Sequence, residues 1–175
     1  MSATSIHITA LDGIVNVNSL FTFAVFIGLA WNPTDPNNNL IDPTQPPDCS
    51  PSPTTAERLV CFHVYSFSCF LFSSLVALGL KQAIRLARDS PAHWPIDLAL
   101  VNKTGLRFGY AFSAAGSVCG SVFLMLALIN VVQIKLGMLG CGGSKHGFAA
   151  VVPLVILVPS GLLIYVCTVL YAFTR

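Results

Sequence analysis

Charged residues are scarce in this sequence, which has nine lysines and arginines and seven aspartates and glutamates among 175 residues. A soluble domain uses roughly 25% charged residues to cover its surface, so a share of 9% argues against a water-soluble globular protein. The net charge of +2 offers no basic surface to a polyanion, and we expect no nucleic acid partner. With 54% hydrophobic residues, the chain is suited to lipid as its solvent.

Four long windows contain no Asp, Glu, Lys or Arg at all: residues 13–34, 59–80, 108–134 and 146–174. A helix needs about 20 predominantly apolar residues to cross a bilayer, and each window is long enough. The sequence therefore predicts an all-α integral membrane protein, a four-transmembrane-helix bundle in a single membrane domain, 1–175. We place the spans near residues 14–31, 59–80, 108–133 and 149–173.

The loops between these spans differ in charge. The Pro-rich loop 32–58 carries seven of the eleven prolines, four acids and one arginine. The loop 81–107 carries five lysines and arginines and two acids, and residue 175 adds a basic residue on the same side of a four-span chain. An excess of lysine and arginine marks the cytoplasmic side of a membrane. We therefore expect both termini and loop 81–107 in the cytoplasm, and loop 32–58 on the non-cytoplasmic side.

The first apolar stretch does not have the pattern of a cleavable signal peptide. Residues 1–13 contain no lysine or arginine, and the stretch is followed by "WNPTDP" rather than by a small-residue cleavage site. We expect the first helix to remain in the mature protein as an uncleaved anchor.

Small residues are unusually frequent in the third span, where the stretch "FSAAGSVCGS" would suggest a linker in a soluble protein. In lipid no water competes for the backbone, so such a stretch stays helical. At about 100° per residue, one face of this helix would carry a small-residue stripe that allows another backbone to approach closely. This helix-packing face consists of Gly109, Ser113, Gly116, Gly120 and Ala127. Its neighbour is either a helix of the same bundle, or a helix of a second copy or another membrane protein.

Three basic residues at the start of loop 81–107 are spaced four and three apart: Lys81, Arg85 and Arg88. We interpret this segment as a continuation of the second helix, with a basic stripe facing lipid head groups. An acidic cytosolic partner is the alternative.

Six cysteines are present, and their predicted positions separate them. Three lie inside spans and are expected to behave as small apolar residues. Cys49 and Cys141 lie in the two loops that we place on the non-cytoplasmic side, where disulfides can form. We predict a Cys49–Cys141 disulfide, with Cys49–Cys61 as the alternative pairing.

A few polar side chains fall within or near the spans: Asn16, Asn18, His63 and Asn130. Polar residues in a membrane can line an ion or solute path. They can equally form structural hydrogen bonds between helices, and both interpretations stay open.

No catalytic signature accompanies these residues. The spans contain no carboxylate, lysine or arginine, and the loops contain no nucleophile, nucleotide or metal-ligand motif. We predict neither an enzyme nor a catalytic, cofactor or metal site.

Two stretches carry a resemblance: "ALDGIVNVNSLFTFAVFIGLAWNPTDP" and "FHVYSFSCFLFSSLVALGLKQAIRLAR". They resemble small plant four-span membrane proteins of unassigned activity, including ones labelled maternal-effect embryo arrest. The architecture is also similar to the membrane region of plant ankyrin proteins with a PGG domain, although the Pro-Gly-Gly motif and the repeats are absent. The resemblance implies a multi-pass plant protein of the plasma membrane or an endomembrane, and it assigns no functional residue.

From these features we predict an assembly or signalling-associated component of the membrane. It would act through helix–helix contacts of the small-residue face, and its partner besides the lipid bilayer would be a second copy or another membrane protein. The alternative is an oligomeric channel or transporter subunit lined by the polar residues of the spans.

Overall fold

The computed structural model describes residues 3–30, 52–89, 103–139 and 145–174, and these ranges are almost entirely helical. The helices are α1 (Ala3–Ala30), α2 (Pro53–Asp89), α3 (Lys103–Leu136) and α4 (Lys145–Thr174). Each contains a stretch that is long and apolar enough to cross a membrane. The prediction of an all-helical chain with four potential membrane spans is confirmed to that extent.

The helices extend beyond the predicted spans. Residues 53–58, which the sequence analysis assigned to the Pro-rich loop, form the first turns of α2. Pro53 suits a first helical position, because its fixed φ is helical and no N–H is required there. Ser52 caps the same end, with its Oγ accepting a hydrogen bond from the Thr54 amide at 3.2 Å.

The predicted loop 81–107 shows the same difference. Helix α2 continues past residue 80 to Asp89, and α3 already begins at Lys103, so loop 81–107 is partly helical. The remaining loop residues, 31–51 and 90–102, lie outside the described ranges.

Helix α3 ends at a glycine. Gly137 adopts a φ of 90°, and its amide donates to the Gln133 carbonyl at 3.0 Å, which is the geometry of an αL cap.

Consecutive helices run antiparallel. Along α1 and α2 the paired residues move in opposite directions, from Asp12 beside Lys81 to Gly28 beside His63. Helix α2 packs most extensively on α3, α1 packs mainly on α2, and α4 packs on α3. We call the end where α1 and α3 begin the lower end, and the end where they finish the upper end.

The buried core has three layers. An apolar cluster fills the lower part: Leu11, Ile14, Ala77, Ile84 and Tyr110. A second apolar cluster fills the upper part: Leu59, Ala127 and Ile134. Buried serines and Asn18 occupy the level between them, and this middle layer is the most distinctive part of the chain.

Candidate functional site

The small-residue face of α3 packs against α2 of the same chain. A Cβ atom added to Gly109 would lie 2.6 Å from a Leu80 methyl, and one added to Gly120 would lie 2.8 Å from the Phe70 ring. At Gly116 it would lie 3.2 Å from the Cys69 carbonyl oxygen. The glycines therefore permit close approach of α2, and this face is not available to an external partner.

The two other residues of that face are also buried. Ala127 belongs to the upper apolar cluster. Ser113 exchanges hydrogen bonds with Ser73 of α2: the Ser73 Oγ donates to the Ser113 carbonyl at 2.6 Å, and the Ser113 Oγ donates to the Ser73 carbonyl at 3.0 Å. This reciprocal pair fixes the register of α2 on α3.

Three helices share one polar network in the middle layer, which we call the polar core: Asn18, Ser73, Ser113 and Ser117. Asn18 of α1 donates from Nδ2 to the Ser73 Oγ at 2.8 Å, and its Oδ1 accepts from the Ser117 Oγ at 2.8 Å. The Ser73 and Ser117 hydroxyls are 2.9 Å apart. All four side chains are buried, and unpaired polar groups at such a site would cost several kcal/mol in lipid.

A further serine on α2 extends this bonding upward. The Ser66 Oγ donates to the Gly120 carbonyl at 2.8 Å, one helical turn above the polar core. Ser66, Ser73 and Ser117 were not among the residues predicted from the sequence. Their signal was the seven-residue spacing of two serines on α2 and the four-residue spacing of Ser113 and Ser117 on α3, which place each set on one helix face.

His63 is buried between α1 and α2. Its Nδ1 donates to the Leu59 carbonyl at 2.9 Å, and its ring lies against Gly28, where an added Cβ would meet Nε2 at 2.5 Å. The imidazole therefore fills a space that only glycine leaves open on α1.

The four polar residues predicted as a possible path do not line a common path within one chain. Asn18 lies in the polar core, and His63 lies nearer the upper end between α1 and α2. Asn16 is exposed on α1. Asn130 is half-buried and donates to the Leu126 carbonyl of its own helix at 3.0 Å.

The predicted basic stripe is not a uniform lipid-facing surface. Lys81 is mostly buried, and its ammonium forms an ion pair with Asp12 of α1, which ties the two helices together at the lower end. Arg85 is exposed, and the Arg88 side chain is not among those the structure describes.

The described cysteines are free thiols: Cys61, Cys69, Cys119 and Cys167. Cys61, the alternative disulfide partner, is exposed near the upper end of α2. Cys49 and Cys141 both lie in segments that the structure leaves undescribed, so the Cys49–Cys141 disulfide stays a prediction.

A cavity of about 360 Å³ lies between α1, α3 and α4. Apolar side chains form most of its wall, and four polar residues also line it: Asn18, Ser117, Ser121 and Tyr165. Asn18 and Ser117 belong to the polar core, and the Ser121 hydroxyl donates to the Ser117 carbonyl at 2.9 Å. The cavity therefore adjoins the polar core from the side of α4.

Tyr165 differs from the other polar residues of the wall. Its hydroxyl is buried and has no hydrogen-bond partner among the described residues. The Ser117 hydroxyl lies near the phenol but outside hydrogen-bonding geometry with it, and its oxygen can still accept a proton while it donates to Asn18. Protein atoms cover the hydroxyl oxygen, so the rest of the Tyr165 residue forms its part of the cavity wall.

No protein-family model, no curated protein and no solved structure matches this chain. The resemblance to plant four-span membrane proteins therefore stays a prediction from the two quoted stretches.

Proposed function

We propose that the protein is an integral membrane assembly component that binds its partner through the outward face of α4. In this proposal all four helices span the plasma membrane or an endomembrane, with both termini in the cytoplasm, and loop 81–107 lies with them. The four apolar helices and the positive charge of that loop support this orientation.

Helix α4 is the least integrated element of the described chain. None of its residues from 148 to 168 is buried, and it packs only on α3 to any extent. The other three helices each place at least one residue in the polar core. In lipid, helix association depends on packing and interhelical hydrogen bonds rather than on hydrophobicity, so a helix with this little packing retains most of its surface for another helix.

The outward face of α4 has the spacing of a helix–helix seam. Its members recur four and three residues apart, all are exposed, and four of the six are small or lack a long side chain: Ala149, Pro153, Ile156, Ser160, Leu163 and Cys167. A 4–3 repeat keeps one stripe of a helix facing a partner. Small residues on that stripe allow the close approach that membrane helices use.

The two prolines of α4 remove two intrahelical hydrogen bonds from this region. Pro153 and Pro159 lie inside the continuous helix, and each removes the N–H that would bond the carbonyl four residues earlier. The carbonyls concerned belong to Ala149 and Val155. In lipid, such freed groups are commonly satisfied by a neighbouring helix, which favours a partner at this position.

The thiol of Cys167 provides a direct test with a second copy as the partner. Two Cys167 residues can form a disulfide only if their Cα atoms come within about 7 Å. We expect a single-cysteine variant retaining Cys167 to form a covalent dimer when membranes are oxidised. Single-cysteine variants retaining Cys61 or Cys119, which are also exposed but lie on α2 and α3, are the controls and should stay monomeric.

A substitution on the same face tests the contact without a cross-link. Ser160→Leu should weaken association at least tenfold, because a large side chain prevents close approach, as measured by light scattering or single-molecule counting in mild detergent. Ser68→Leu is the matched control, because Ser68 is also exposed and also bonds only the carbonyl four residues earlier.

If Cys167 links to a different membrane protein, the partner is that protein. If neither experiment detects association, the proposal is wrong.

The channel alternative has less support in a single chain. Asn18 and His63 make hydrogen bonds in separate places, and Asn130 bonds its own helix. A path would have to be lined by residues from several copies, and Asn16 is the exposed member of the set that such an assembly would use.

A further inference from the structure

Asn16 is a polar side chain on the outward side of α1. It stands two residues before Asn18 in the same helix, and at about 100° per residue the two carboxamides point in nearly opposite directions. Asn18 is buried in the polar core, whereas Asn16 is exposed. Asn16 also lies well inside the apolar stretch Ile8–Ala30, one helical turn above the Asp12–Lys81 ion pair. Its carboxamide is therefore a polar group on the apolar outer surface of the bundle.

The Asn16 carboxamide makes no hydrogen bond to any described residue. Other polar side chains of the helices behave differently, because Asn130 donates to the Leu126 carbonyl and Ser19 donates to the Val15 carbonyl. In hydrocarbon an unsatisfied polar group costs several kcal/mol, and polar residues of membrane segments usually face a protein neighbour. An outward asparagine that is not bonded to its own helix therefore indicates a neighbour outside this chain.

Asn16 belongs to a row of exposed residues on the side of α1 opposite the polar core. The members of this row recur alternately three and four residues apart, and we call the row the α1 seam: Gly13, Asn16, Leu20, Phe23, Ile27 and Ala30. Such alternation keeps one stripe of a helix facing a partner helix along its whole length. The seam shares no residue with the two apolar clusters or with the wall of the cavity, so it is free for a contact between chains.

The carboxamide of Asn16 identifies a second copy as the partner. A carboxamide carries both a donating NH2 group and an accepting oxygen, so two of them can bond each other reciprocally. Copies of one membrane protein share one orientation, and two parallel helices that meet about a two-fold axis place each residue of the seam opposite itself. The seam carries no full charge, and the neighbouring Asp12 is paired with Lys81, so no like charges oppose the contact.

We infer that α1 pairs with α1 of a second copy through this seam, with reciprocal hydrogen bonds between the two Asn16 carboxamides. The inference rests on the proposal that α1 spans the membrane. It does not depend on the α4 contact, because the two faces share no residue. Where both contacts form, each copy touches two neighbours about two parallel two-fold axes, and the copies form rows in the plane of the membrane rather than closed dimers.

A cysteine at position 20 tests the pairing directly. The chain is full-length, lacks the six native cysteines and is reconstituted in phosphatidylcholine vesicles, and only protein that resists carbonate extraction is counted. Leu20→Cys should form a covalent dimer on oxidation, because the two-fold contact brings the two Cα atoms within the about 7 Å that a disulfide requires. Phe26→Cys is the matched control, because Phe26 is also exposed on α1 but lies about 100° from the seam, and it should stay monomeric.

Replacement of Asn16 tests the hydrogen bond. Asn16→Leu should weaken association by about threefold to thirtyfold, the effect of a polar contact between helices in lipid, measured by energy transfer between labelled copies as the protein is diluted with lipid. Asn16→Gln keeps a carboxamide and should retain most of the association. Asn130→Leu is the control, because its amide bonds only its own helix, and it should change nothing. These measurements use a chain that also carries Ser160→Leu, so that the α4 contact does not contribute.

The same variants separate this contact from the one proposed for α4. The Leu20→Cys cross-link should form equally with and without Ser160→Leu, and a cross-link that requires Ser160 would overturn the inference, because α1 would then be brought together only by α4. Absence of the cross-link, or equal cross-linking of Phe26→Cys, would show that the seam faces lipid and would also overturn it. Association that Asn16→Leu leaves unchanged, or a Leu20→Cys cross-link to a different protein in native membranes, would do the same.

Discussion

At the scale of single residues, the Ser73 hydroxyl connects three helices. It accepts from Asn18 of α1 and lies within hydrogen-bond distance of Ser113 and Ser117 of α3. Each of these side chains is buried, so none can turn to water if the connection is lost. The polar core therefore acts as one unit, and the loss of its central member leaves several groups unsatisfied.

Ser73→Ala should lower the free energy of unfolding by about 1–2 kcal/mol, because the Asn18 amide and the Ser113 carbonyl lose their partner. The measurement is equilibrium unfolding in mixed detergent micelles, followed by circular dichroism. Ser68→Ala is the control, because Ser68 is exposed and bonds only its own helix, and its change should be near zero. Equal effects of the two substitutions would mean that the polar core does not contribute to stability.

The serines also show where sequence reasoning reaches its limit at this scale. Ser19, Ser68 and Ser160 each bond the carbonyl four residues earlier, which is the ordinary behaviour of serine in an apolar helix. Ser66 and Ser73 stand in the same kind of surroundings along the chain, yet they bond across to α3. The sequence contains both groups but does not state which helix face meets a neighbour.

At the scale of helices, the four long apolar helices were predictable from the sequence and their packing partners were not. Long windows without charge predict spans because a charge is costly in hydrocarbon, and the glycine spacing on α3 predicts a face of close approach. Any neighbouring helix could pack on that face, so its contact with Phe70 and Leu80 of α2 could be identified only from the structure. The helix ends at Pro53 and Gly137 were likewise missed, because they depend on cap geometry rather than on hydropathy.

Contact between α2 and α3 gives a prediction about Gly120. Gly120→Ala should destabilise the protein by about 1–3 kcal/mol, because the added Cβ would lie 2.8 Å from the Phe70 ring and the two helices would have to move apart. Unfolding in mixed micelles measures the change. Gly79→Ala, on an open surface of α2, should be neutral or stabilise by up to about 1 kcal/mol through helix propensity.

The association state of Gly120→Ala distinguishes the two uses of a small-residue face. Because this face is covered by α2 within the chain, the variant should lose stability while any oligomer formed by the folded protein persists. A variant that keeps its stability but loses its oligomer would show that the face of α3, rather than that of α4, meets the partner.

At the scale of the whole molecule, the polar and charged features are ordered along the bundle axis. The Asp12–Lys81 ion pair lies at the lower end, and the polar core lies above it. Helix α1 ends and α2 begins at the upper end. If the lower end faces the cytoplasm, the ion pair lies at the head-group level on the side where basic residues are concentrated.

Labelling with a membrane-impermeant maleimide on intact cells tests this orientation for the whole chain. Cys49 should be unreactive until a disulfide reductant is added, because we predict its bridge to Cys141 on the non-cytoplasmic side, and it should then react without permeabilisation. A cysteine introduced by Ser90→Cys, in a variant that lacks the six native cysteines, should react only after the membrane is permeabilised, because loop 81–107 is then cytoplasmic. The glycosylation sequon at Asn102 gives an independent test of the same orientation. If loop 81–107 is cytoplasmic, Asn102 carries no glycan, and Asn102→Gln leaves the electrophoretic mobility of the protein unchanged. Labelling of the introduced cysteine on intact cells, together with a glycan on Asn102, would show the opposite orientation, with loop 81–107 on the non-cytoplasmic side.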